Sequence, residues 1–127
     1  MQYSPLVERY FDRPRNAGAL SGDSRSLGIG IAGQISDGAR VAFYMRFVDG
    51  KVEEASFRAY GCPCTIAMAS RMTERVLGLS ADAVGRLDPH EVAAEMALPP
   101  EKLAQALIVE DAVKAGLEDW RWRQVEN

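Results

Sequence analysis

The spacing of apolar and polar positions changes period along the chain. Residues 4–12 (SPLVERYFD) predict a short amphipathic helix. Ser4 caps it, Pro5 suits its first turn, and Val7, Tyr10 and Phe11 share one face. Pro14 stops it. Residues 15–25 are rich in Gly, Ser, Asn and Asp and predict a loop. Leu27 to Ile35 contains three glycines, so it predicts a weak strand, either at a sheet edge or bulged. A period of two follows, with Val41, Phe43, Met45 and Phe47 alternating with Ala42, Tyr44, Arg46 and Val48. Asp49-Gly50 is a strong hairpin dipeptide. Lys51 to Tyr60 is then the return strand, with Val52, Ala55, Phe57 and Ala59 as its apolar positions.

From Cys64 the period becomes helical. Ile66, Ala67, Ala69, Met72, Val76 and Leu77 recur at helical spacing, and Gly78 ends the run. Ser80 opens a second short helix. Asp88-Pro89 opens a third, running to about Met96, with an N-cap followed by a first-position proline. Pro99-Pro100 opens the last and longest, over roughly residues 100–122, with Leu103, Ala106, Leu107, Val113, Leu117 and Trp120 on one face. Strands first and helices afterwards predict an α+β fold, a three-stranded antiparallel meander with helices packed on one face.

Composition narrows the function classes. A chain of 127 residues suits one domain, spanning 1–127. No apolar run approaches the about 18 residues of a membrane helix. The opening MQYSPLVERYFDRPR lacks the apolar core of a secretory signal, so the expected compartment is the cytoplasm. Net charge is −3, which leaves no basic footprint for nucleic acid. The one basic-aromatic cluster, Trp120-Arg121-Trp122-Arg123, reads as a helix C-terminus whose cations complement the dipole and whose two Trp cap a core edge. Two cysteines spaced as C-x-C cannot form a disulfide framework.

Candidate chemistry lies at Ala59-Tyr60-Gly61-Cys62-Pro63-Cys64-Thr65, where strand turns into helix. Pro63 fits the first helical position, which makes Cys62 the N-cap and Cys64 the second residue of the helix. Both thiols are then expected beside free N–H groups at the positive end of the dipole. That setting favours thiolate, the form that binds soft metals or accepts sulfur. The alternative is a pair of small buried apolar residues.

Several segments together resemble a known family. They are Tyr3-Ser4 with Val7, Tyr10-Phe11, Arg13-Pro14-Arg15-Asn16-Ala17-Gly18, Phe57-Arg58-Ala59-Tyr60-Gly61-Cys62, and Ile66-Ala67 with Ser70 and Thr73-Glu74. Leu98-Pro99-Pro100-Glu101-Lys102-Leu103 and Glu110-Asp111-Ala112 complete the set. In order and spacing they resemble the IscU/NifU N-terminal family of iron–sulfur cluster assembly scaffolds. The resemblance implies a three-stranded sheet with packed helices, with a [2Fe–2S] cluster, iron or zinc as the bound species. The residues themselves offer no nucleophile–base–orienter set, with the one histidine remote from the cysteines, so no enzymatic activity is expected. The resemblance also implies two partners. One is a cysteine desulfurase; the other is an Hsp70-type chaperone reading the Leu98, Pro99, Pro100, Lys102 segment.

The family's ligands are only partly matched. Its Cys-Gly-Asp turn falls on Asp37-Gly38-Ala39, and its histidine–cysteine pair falls on Ala104-Gln105. Glu101 replaces the usual valine, and Cys64 is an extra thiol. The expected site set is therefore Asp37, Cys62 and Cys64. Three donors fall short of the four a tetrahedral zinc or cluster site takes, so a partner, water or a second copy of the chain has to complete the shell. His90 reads as an exposed residue near its helix start, and Glu101 as a solvated first-turn acid. Three functions compete: a scaffold with an altered site, a docking module that holds no cluster, and a thiol redox or sulfur-carrier role for Cys62 and Cys64.

Overall fold

In the computed structural model of the protein, residues 3–125 are described. Ser4 accepts a hydrogen bond from the Val7 amide at 3.1 Å and starts α1 (Pro5–Asp12). Strands β1 (Leu27–Gln34), β2 (Ala39–Val48) and β3 (Lys51–Tyr60) form one antiparallel sheet in the order β1-β2-β3. Helices α2 (Pro63–Arg75), α3 (Ala81–Gly85), α4 (Pro89–Glu95) and α5 (Leu103–Val125) come after the sheet. The α+β meander expected from the sequence is the observed fold.

The hairpin between β2 and β3 turns on Asp49 and Gly50, with φ of 53° and 76°. Both left-handed centres are what a two-residue turn needs to match the strand twist. Arg46 faces Glu54 while Phe47 faces Val52, so Glu53 is an extra, bulged residue. The bulge resets the alternation, which is why Val52 and Ala55, three apart, are both buried on the core face with Phe57.

That face, carrying Val41, Phe43, Met45 and Phe47 from β2, is covered by α2 and α5. The glycine-rich β1 is an edge strand as expected, and its glycines have a specific cause. A Cβ on Gly28 would lie 2.2 Å from the Gly116 carbonyl oxygen, and one on Gly30 would lie 2.1 Å from that of Ala112. Strand and helix backbones touch there, and side chains cannot come between them.

This contact corrects the expected face of α5. Its buried residues are Ala106, Val109, Glu110, Ala112, Val113, Gly116 and Leu117, while Leu107 is 40% exposed. The face is built of small residues for close approach, so weight of apolar side chains misplaces it. On α1, likewise, Val7 is buried but Phe11 points outward. At the far end Trp120 stacks on Phe47 with centroids 4.2 Å apart, whereas Trp122 is exposed, so one Trp caps the core edge and not two.

The segment after α1 is tied to α2 by residues that carried the resemblance. Asn16, held at φ 61°, donates from Nδ2 to Thr73 Oγ1 at 3.0 Å. The Arg15 amide donates to Ser70 Oγ, and the Tyr10 hydroxyl donates to Glu74 at 2.7 Å. The Gly18 amide and Phe57 carbonyl then add residues 16–18 to the outer edge of β3 at 2.8 Å. Among the described residues no helix is long and apolar enough to cross a membrane.

Candidate functional site at the strand-to-helix corner

The last strand delivers the chain to α2 through Gly61 and Cys62. Cys62 is the N-cap, with extended dihedrals (φ −73°, ψ 170°), and Pro63 takes the first helical position as expected. An extended N-cap swings its side chain back over the first turn. The half-buried Cys62 sulfur accordingly lies 3.7 Å from Thr65 Oγ1. No capping hydrogen bond of ordinary geometry is made. The Cys64 and Thr65 amides nevertheless act on the sulfur.

Burial alone would raise the Cys62 pKa. The Thr65 amide and hydroxyl, the Cys64 amide and the Lys102 ammonium outweigh it, and the thiol is held below its ordinary value. Cys64 behaves in the opposite way, which corrects the expectation that both thiols favour thiolate. It is fully buried, in line with Ala67, Met68 and Met72 on the core face of α2. Burial first, and then the neighbouring Cys62, push its thiol up to about 11. The corner thus holds one reachable, activated thiol and one protonated, enclosed thiol.

Thr65 is the residue that sequence reading missed. It is fully buried, and its hydroxyl donates to Gln105 Oε1 at 2.8 Å, linking α2 to the start of α5. Gly61 makes room for it, because a Cβ there would lie 2.7 Å from Thr65 Cβ and Oγ1. A hydroxyl has one hydrogen. It goes to Gln105, with the Cys62 sulfur 3.7 Å away as the alternative acceptor. Replacing Thr65 by Val removes that hydrogen bond and raises the Cys62 pKa. With about 1 kcal/mol for the bond, iodoacetamide should label Cys62 about fivefold more slowly at neutral pH. Thr65→Ser should restore the rate, read by mass spectrometry across pH.

The other expected ligands are more scattered. Asp37 ends the single turn Ile35–Asp37, is exposed, and is followed by Gly38 at φ 93°. It shares the Cys62 end of the sheet, since Arg40 pairs with Tyr60. Gln105 does face the corner, through Thr65, while Ala104 is exposed. The turn Pro100–Lys102 brings the Lys102 ammonium within electrostatic reach of both thiols, where it favours their charged forms. Glu101 is exposed, as expected for a first-turn acid. His90 is exposed and pairs with its own cap, Nδ1 lying 3.2 Å from Asp88 Oδ1. Among the described residues no three of His, Cys, Asp and Glu are grouped closely enough to hold a metal ion. Asp37, Cys62 and Cys64 therefore share one end of the fold without forming a closed donor set.

Comparison with known families decides the relationship. Residues 2–127 match the model of the NifU-like N-terminal domain. The chain belongs to that family. Among its NifU-like relatives, the iron–sulfur cluster assembly scaffold protein IscU of Haemophilus influenzae is 34% identical over 125 residues. The match covers 98% of this chain and 99% of the relative. The iron–sulfur cluster assembly enzyme IscU of Drosophila melanogaster is 35% identical over 123 residues, covering 96% of this chain and 80% of the relative. Among solved structures, the N-terminal part of a nitrogen-fixing NifU-like protein from Brucella abortus superposes with a TM-score of 0.71. It is 16% identical, covers 94% of each chain, and so speaks for the fold. This NifU-like domain has Cys62 at its strand-to-helix corner. Where the resemblance implies the cysteine of the histidine–cysteine pair, it carries Gln105, hydrogen-bonded to Thr65.

Proposed function

We propose that this chain is a scaffold in iron–sulfur cluster assembly, holding iron or a [2Fe–2S] cluster as cargo at the Cys62 corner. The observation that carries the reading is the Cys62 thiol. It is reachable, biased toward thiolate, and set where the family resemblance expects a ligand. Cys62 supplies a soft thiolate and Asp37 a hard, readily exchanged carboxylate from the same end of the sheet. Cys64 stays out of this ligand set while it faces the core.

Two donors hold cargo weakly, so a partner or a second copy of the chain completes the shell. That suits transfer better than storage. A cysteine desulfurase is the proposed sulfur source, and Cys62, the accessible thiol, is where its sulfur arrives. An Hsp70-type chaperone is the proposed reader of Leu98–Lys102, a stretch stiffened by Pro99 and Pro100 with its Pro100–Glu101 tip exposed. The chain works as a scaffold and not as an enzyme: the thiol has no histidine beside it to act as a base. The cytoplasm, where thiols stay reduced, is the compartment that fits.

A second reading has its own support. The described residues group no three metal donors, and a docking module that binds the same partners without cargo needs none. Oxygen-free reconstitution with ferrous iron, cysteine and a cysteine desulfurase separates the two. The scaffold reading expects a visible [2Fe–2S] absorption that Cys62→Ser abolishes. A folded wild-type protein that stays colourless favours the docking module.

A further inference from the structure

The outer edge of β3 is only partly covered. On an antiparallel edge strand, every second residue turns its backbone N–H and C=O away from the neighbouring strand. Phe57 is such a residue. Its amide donates to the Asn16 carbonyl at 3.2 Å, and its carbonyl accepts from the Gly18 amide at 2.8 Å. Ala59, two positions on, presents its N–H and C=O to the same side. Among the described residues neither group has a backbone partner on that side. Gly18 is what leaves them open. Its φ of 123°, a conformation that suits glycine, turns the chain off the edge after the single bridge between Ala17 and Phe57.

Beside the open stretch lies a cavity of about 480 Å³, bounded by the segment after α1, β3 and α2, and apolar in its lining apart from Arg58. Phe57 and Ala59 line it from the strand and Ile66 from the first turn of α2. By alternation the Arg58 side chain belongs to the other face of the sheet. There Arg40, which pairs with Tyr60, is its diagonal neighbour across the ladder. Both arginines are exposed, and among the described residues neither forms a salt bridge. On a chain of net charge −3 they make a local positive spot.

We propose that this edge takes an extended peptide segment of a partner protein, added as a further strand beside Ala59, in which apolar and acidic residues alternate. The Ala59 N–H and C=O bind its backbone, which a helix could not offer. One residue of the incoming strand fills the cavity, and its neighbour, on the other face, meets Arg58. A basic segment would face two unpaired arginines. Two copies of this chain joined edge to edge would bring their own arginines together, so the occupant is a different protein. Ala59 lies three positions before Cys62, which holds the partner close to the corner. The pairing uses none of the candidate ligands and takes place with or without cargo.

The full chain, freed of metal by a chelator, is titrated with a fluorescein-labelled peptide of alternating glutamate and valine. Anisotropy reads binding, and NMR reads the exchange of each backbone amide. The peptide should bind and slow exchange of the Ala59 amide. A lysine–valine peptide should bind at least about fivefold more weakly, the worth of one exposed ion pair. Arg58→Glu should reverse that preference. A glutamate–valine peptide methylated on its backbone nitrogens should not bind. Ala59→Pro should abolish binding, and the β2 ladder should survive it because this N–H points away from β2. The methylated peptide tests the same pairing without touching the fold. No binding at millimolar peptide, equal binding of the acidic and basic peptides, or binding that leaves the Ala59 amide unprotected overturns the proposal. So does an Ala59 amide already protected in a dimer of the chain alone, which would make a second copy the occupant.

Discussion

Gly30→Ala should leave the protein unfolded or nearly so. The added methyl carbon would lie 2.1 Å from the Ala112 oxygen, 2.2 Å from the Gly116 nitrogen and 2.8 Å from the Ala115 carbonyl carbon. All three are backbone atoms in the middle of a 23-residue helix, α5, and none can swing aside. Relief requires lifting α5 off β1, which breaks the packing of Val109, Ala112, Val113 and Leu117 against the sheet. A cost above about 4 kcal/mol is expected, the range reserved for gross core disruption. That is a large share of the about 5–15 kcal/mol by which domains are stable. Gly38→Ala is the control. Its φ of 93° disfavours a side chain, but nothing lies within 4 Å, so it should cost only about 1–2 kcal/mol. Urea unfolding of both variants measures the difference.

The second large effect is a gain. The triple variant Asp37→Cys, Ala104→His, Gln105→Cys should hold a [2Fe–2S] cluster far longer than the parent. The Gln105 side chain already points at the Thr65–Cys62 corner, so a sulfur there enters the same space. Ala104 is exposed, and its replacement should cost little stability. Asp37 is exposed at the same end of the sheet, where a thiolate replaces a hard donor with a soft one. Each ligand gained should slow cluster loss on the order of tenfold or more, since even supporting partners of metal ligands are worth that much. The decay of visible absorption under a chelator reads it. A folded triple variant that loses its cluster as fast as the parent would place the three positions too far apart to share cargo.

Local signals carried much of the fold. The alternation of β2, the Asp49-Gly50 turn and the proline-led helix starts at Pro5, Pro63 and Pro89 are local chemistry, and each appears where the sequence puts it. The bulge at Glu53 was not legible, because a two-residue period cannot announce a skipped residue. The inner face of α5 was hidden for a related reason. Gly116 and Ala112 are buried by being small, and a search weighted toward large apolar side chains passes over them.

At the candidate site, the cap position of Cys62 followed from Pro63. The orientation of Cys64 was present in the pattern, since it begins the stripe that continues through Ala67, Met68 and Met72. Reading that stripe from Ile66 left it out. Thr65 could not be found from the sequence at all. Its role depends on Gln105, 40 positions away, and only the docking of α5 on α2 brings the two together.

The claim that Cys62 anchors the cargo is tested most directly by iron and acid-labile sulfide assays on protein reconstituted without oxygen. Wild-type protein should contain iron and sulfide in equal amounts, and folded Cys62→Ser should contain neither. Equal cargo in the two proteins, or none in the wild type, would contradict it.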